Sequence, residues 1–186
     1  MSGSAADPIL TLEPFIEAVR EGVEHAGWEL SGLQKTTSHQ FEGRWEGDST
    51  RSAYLFFHHP TADLPASVDV YLDETSRGLR GNLALVVDLR RLSQLGDVEA
   101  QLQRLSRLAD EGLPSGYRTP LTLRFRLRDG GRPASEAETE VRFKLKVPGE
   151  ALDAGPSAVS ALASGVVKSF EVLLQQAELR DEMARD

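Results

Sequence analysis

Apolar and polar residues alternate one by one through two runs between Thr119 and Val147. Leu121, Leu123, Phe125 and Leu127 fall on one side of the first run, with Arg124, Arg126 and Arg128 on the other. Val141, Phe143, Leu145 and Val147 oppose Arg142, Lys144 and Lys146 in the second. A period of two belongs to a strand with one face buried. The turn residues Asp129-Gly130-Gly131 and a longer loop over Pro133 to Glu136 separate the runs, so the pattern predicts an antiparallel hairpin.

Elsewhere the period changes twice. Leu12, Phe15, Ile16, Val19 and Val23 recur at helical spacing after a capping residue, Thr11, with Pro14 in the first turn and Gly27 as the stop. From Trp28 to Leu92 the pattern is of strands broken by turn residues: Trp28 to Lys35, His39 to Trp45, Ser52 to His58, Val68 to Leu72 and Asn82 to Leu89. Short connections favour an antiparallel meander. Leu83 to Leu89 is the most apolar run and is expected to be a central strand. Asp97 is a good cap for a second helix that carries Val98, Leu102, Leu105, Leu108 and Ala109 inward and ends at Gly112. After a linker over Pro148 to Pro156, steps of three and four from Val159 through Phe170 to Ala177 predict a long last helix over about Ser157 to Met183. Ala161, Gly165 and Ser169 put small side chains on its flank.

The resulting expectation is an α+β protein with an antiparallel sheet of about seven strands. The order is helix, five strands, helix, two-stranded hairpin and long C-terminal helix. Residues 1–10 are expected as a flexible tail and residues 11–186 as one domain.

Composition narrows the class. With 186 residues, 40% hydrophobic and 27% charged, the chain is long enough to bury a core without staples. It has no cysteine, which excludes disulfides and thiolate metal sites. The N-terminus lacks the basic start and apolar run of a secretory signal, and no stretch approaches the roughly 20 apolar residues of a membrane span. A cytoplasmic protein is therefore expected, and a net charge of −8 disfavours general nucleic-acid binding.

Candidate chemistry is sparse. Neighbouring strand residues point to opposite faces, so His58 and His59 cannot readily hold one ion. Asp69 and Asp73 share a face, but about 13 Å between alpha carbons is too far to share a proton or an ion. Asp88 interrupts an apolar strand, and it reads either as a carboxylate with a shifted pKa or as the point where the strand meets water. Gly130-Gly131 lacks the lysine and helix of a phosphate loop, and no Gly-x-Ser-x-Gly occurs. Trp28, Phe41, Trp45, Tyr54, Phe56 and Phe57 lie far in sequence from the cations, which weighs against a base-stacking surface. No cofactor or metal is expected, and no catalytic residue.

The cationic row Arg124, Arg126, Arg128, Arg142, Lys144 and Lys146 is the feature left to explain. Like charges side by side on a sheet are destabilising. Neighbouring acids Glu138, Glu140, Asp69 and Asp73 answer it internally, or an acidic segment of a partner does so from outside. Nucleic acid or another anionic ligand is a third explanation.

The order of elements, together with small size, acidity and absent cysteines, resembles the type III secretion chaperone-like superfamily and the related bacterial sensory-transduction-regulator proteins. Those proteins usually carry three strands before the middle helix where this chain has about five. The resemblance implies a homodimer formed by the middle helix and hairpin, placing Leu102, Leu105, Leu121 and Leu123 near the interface. It also implies a groove for an extended client near Phe15 and Val19. The reading is a non-enzymatic, chaperone- or adaptor-like protein whose cationic row recruits an acidic partner segment. The alternative is a small-molecule-binding or enzymatic helix-grip domain with a cavity between sheet and last helix.

Overall fold

The computed structural model describes residues 12–37, 40–41, 44–45, 49–60, 66–75, 77–94, 96–112, 122–126 and 138–176. The first helix, α1 (Leu12–His25), buries Leu12, Phe15, Ile16, Val19 and Val23 on one side, as their spacing dictates. Gly27, at φ +94°, ends it: its N–H donates to the Glu24 carbonyl at 2.9 Å and the Trp28 N–H to the Val23 carbonyl at 3.3 Å. These crossed bonds satisfy the last carbonyls, and the left-handed backbone favours glycine there.

Among the described residues six strands form one antiparallel sheet: β1 (Glu29–Thr37), β4 (Ser49–His58), β5 (Ala66–Thr75), β6 (Gly78–Asp88), β8 (Glu138–Lys146) and β7 (Thr122–Arg126), in that spatial order. Two short strands, β2 (Gln40–Phe41) and β3 (Arg44–Trp45), pair with each other as a separate ribbon among the described residues. The expectation of about seven strands is corrected accordingly. Within the expected strand His39 to Trp45, the described pieces Gln40–Phe41 and Arg44–Trp45 form a two-stranded ribbon outside the six-stranded sheet, each only two residues long.

After β6 the chain turns into α2 (Leu89–Gln94) and then α3 (Val98–Gly112). Asp88 caps α2, its carboxylate accepting from the N–H groups of Arg90 and Arg91 at 2.8 and 3.2 Å. Asp97 does the same for α3 through the Glu99 N–H at 3.2 Å. The expected linker before the last helix contains a further short helix, α4 (Gly149–Ala154). The last helix, α5, spans Pro156–Gln176 among the described residues, with proline in its first turn.

Alternation divides the sheet. Leu55, Phe57, Val68, Val70, Leu83, Leu85, Val141 and Phe143 face one side and share a core with Phe15, Ile16, Leu92, Leu105, Val166 and Phe170 from the helices. All of the larger helices therefore lie on one face of the sheet. By length and composition α5 is apolar enough to cross a membrane, which corrects the expectation that no stretch comes near it. Here that apolar character meets the sheet: Val159, Val166, Phe170, Leu173 and Leu174 are almost wholly buried.

The α1 and α5 backbones approach closely at Gly22. A side-chain carbon there would collide with the Ser160 carbonyl and press on Ala163. The small flank expected on α5 lies elsewhere: Ala161 and Gly165 are exposed, and the Ser169 hydroxyl bonds back to the Gly165 carbonyl at 3.1 Å.

Candidate partner-binding face

The strand positions that do not enter the core project from the other face, and the register sets them in rows. Tyr54 stands opposite Tyr71, Tyr71 opposite Asn82, and Asn82 opposite Lys146. One step along, Phe56 stands opposite Asp69, Asp69 opposite Ala84, and Ala84 opposite Lys144. Directly paired residues of antiparallel strands point the same way, so aromatic rings and lysines more than seventy positions apart in sequence share a surface. Tyr54 is 39% exposed and Phe56 37%, although comparable side chains in the core are covered. The Tyr54 and Tyr71 rings lie 4.7 Å apart at a tilt of 39°. Ala84, within the second row, and Val86, opposite Ser67 and Arg142 beside it, are buried.

Acids on this face are held by cations of the same face. Arg142 reaches Asp69 at 3.2 Å and Glu140 at 3.1 Å. Burial pushes the Asp69 carboxyl above its ordinary value; the Arg142 charge pulls the other way and Glu140 adds to the rise. Asp73, fully buried, accepts from Arg80 Nε at 2.6 Å and from the Ser52 hydroxyl at 3.2 Å. Asp69 and Asp73 thus share a face, as their spacing requires, and each has its own cation. The Tyr71 hydroxyl is raised above its ordinary value, chiefly by burial.

Five of the six cations of the sequence row lie among the described residues. Backbone register sets Arg124 opposite Glu140 and Arg126 opposite Glu138, and Arg142 is bound to Asp69 and Glu140. Lys144 and Lys146 are exposed at the end of the aromatic rows. Arg128 lies outside the described residues, as does Leu121.

Other expected positions fall elsewhere. Phe15 and Val19, expected along a client groove, are closed into the core between α1, α5 and the sheet, so they cannot line a groove in this conformation. Leu105, expected at a dimer interface, is likewise fully buried. Leu102 is half-buried and borders a surface cleft along α3 with Val98, Gln103 and Arg107. Leu123 stands opposite Val141 in register.

One cluster had no sequence signal. Glu171 of α5 accepts from the Trp28 indole N–H at 3.1 Å and lies 3.2 Å from His59 Nε2, whose ring meets Trp28 edge-on at 5.4 Å. His58, on the other face, is 3.6 Å from Glu29. These groups are joined only by folding, and 143 positions separate Trp28 from Glu171. Among the described residues no three His, Asp or Glu side chains come together as a metal site would require.

Comparison with known proteins finds no match to a protein-family model, to a curated protein or to a solved structure.

Proposed function

We propose that this chain is a non-enzymatic protein-binding module, adaptor- or chaperone-like, that acts as a homodimer and receives an acidic segment of a partner protein on its open sheet face. One observation carries the reading: exposed Tyr54 and Phe56 belong to the same cross-strand rows as the exposed Lys146 and Lys144. Tyrosine is enriched among the side chains that contribute most at protein interfaces, and the lysine charges steer an anionic partner. Within the cationic row the recruiting role is assigned to the two lysines, because they are the members that end the aromatic rows and are exposed.

The helix-grip alternative needs room for a ligand between the sheet and α5. That space holds Phe143, Leu145, Val166, Phe170 and Leu173, all nearly inaccessible. Dense packing of this kind favours a surface function.

The test is capture from a lysate of the native host with tagged bait. Wild type, Tyr54→Ala with Phe56→Ala, and Lys144→Glu with Lys146→Glu are compared. A partner retained by wild type should be lost from both variants while their melting temperatures stay close to wild type. Equal retention by all three overturns the assignment of this face.

A further inference from the structure

The helix layer, on the far side of the sheet from the open face, carries a cleft between α1 and α5 with a volume of about 630 Å³. The two backbones nearly touch where Gly22 meets Ser160, and beside that crossing the exposed Ala161 and Gly165 leave the space unfilled: a carbon added at Gly165 would meet nothing within 4 Å. Residues four apart on a helix are neighbours on its surface, and each wall uses that spacing. On α1 it brings together Glu17 and Glu21, both exposed; on α5 it brings together Ser164 and the exposed Lys168. With His25, the remaining ionisable side chain of the lining, the cleft carries both signs of charge. Glu17 interacts with Arg20, whereas neither Glu21 nor Lys168 has an ion-pair partner among the described residues. Ser164 is only 9% exposed, yet it lines the cleft and its hydroxyl has no hydrogen-bond partner among the described residues. A covered hydroxyl is ordinarily bonded; this one borders a space that a small molecule can enter.

We infer that this cleft binds a small zwitterion, a molecule of amino-acid size with an ammonium at one end and a carboxylate at the other. The ammonium meets Glu21, with Glu17 one turn away. The carboxylate meets Lys168 and accepts from the Ser164 hydroxyl, one turn back on the same helix. Packed helix axes lie roughly 8–10 Å apart, so charged groups reaching over the cleft from the two helices are separated by a few bonds of ligand. An anion alone would face the α1 carboxylates, and a cation alone would face Lys168 and leave the Ser164 hydroxyl without an acceptor; each mismatch rejects the singly charged molecule. Small and hydroxylic walls also lack the hydrophobic and aromatic lining that a large apolar ligand needs. This site is independent of the docking face and of any partner bound there.

The test is an NMR titration of the isotope-labelled chain with γ-aminobutyrate, compared with butylamine and butyrate, which keep one charge each. Amide shifts should saturate with γ-aminobutyrate and centre on Gly22, Ser164 and Gly165, with a dissociation constant on the order of 1 mM or below. The constant should rise about fivefold or more for either singly charged analogue. It should rise comparably in Glu21→Gln and in Lys168→Gln, whose exposed side chains can change without altering the circular-dichroism melt, and in Ser164→Ala. Ala161→Leu, which fills the cleft from an exposed position, should abolish binding. Shifts that never saturate, that centre on the open sheet face, that are equal for the analogues, or that persist unchanged in the Glu21 and Lys168 variants each overturn the inference.

Discussion

Gly22 and Asp69 show how single side chains set the tolerances of this fold. At Gly22 the α1 helix has no room for even one more carbon, since Ser160 presents a backbone carbonyl and cannot swing away. Gly22→Ala should therefore lower stability by about 1–3 kcal/mol although alanine is the better helix former; a denaturant titration that gains stability would refute it. Asp69 makes the pH behaviour readable. Its folded-state pKa is raised, so the protonated carboxyl is the form the fold prefers. Its contribution is fully present below the ordinary value of 3.8 and is lost as pH rises through the higher folded value. The difference in unfolding free energy between wild type and Asp69→Asn should thus fall as pH rises from about 4, and a flat difference over that range would contradict the burial of this group. Neither effect is legible in sequence. Gly22 looks like any tolerated helix glycine, and Asp69 like the solvated member of an alternating strand. Asp97 and Gly27 were legible, because a cap and a left-handed stop act within a few residues of where they stand.

At the level of elements, local period foretold α1, α3, α5 and the strands with strict alternation, and it misled where length decided. His39 to Trp45 has the composition of a strand, yet among the described residues its two-residue pieces Gln40–Phe41 and Arg44–Trp45 pair with each other rather than with the main sheet. The α4 stretch sits between Pro148 and Pro156 and so reads as a linker, although Glu150, Ala151 and Leu152 are good helix formers. Arg124 and Arg126 gain a second explanation from topology. They stand on β7, the last strand of the sheet among the described residues, where positive charge discourages pairing with another chain. The attachment of α5 rests partly on Glu171. Removing its carboxylate leaves the buried indole of Trp28 without that acceptor, so Glu171→Ala should cost about 1–3 kcal/mol. In a Trp45→Phe background, Trp28 emission should move to longer wavelength as water reaches the ring. An unchanged spectrum and midpoint would show that apolar packing alone seats the helix.

For the whole molecule, the α+β class and the antiparallel sheet follow from pattern, whereas the site does not. It is assembled from β4, β5, β6 and β8, and only register brings those strands into common rows. A reader of the sequence sees aromatics in one half and cations in the other and has no reason to join them. The proposed homodimer belongs to this scale too. With Leu105 committed to the core, the proposed contact with a second copy falls to the half-buried Val98 and Leu102 beside the cleft. Leu102→Glu should then halve the mass seen by light scattering and leave capture of the partner intact; a mass unchanged by the substitution would place any dimer contact elsewhere. The position of β8 carries a further consequence. Because the strand that supplies both lysines is inserted between β6 and β7 after two intervening helices, a nascent chain displays its rings well before it acquires their basic counterparts. On the proposed reading, recognition waits for completion of the ladder, and a partner bridging the two halves would act as a clamp that raises the unfolding temperature with its own concentration.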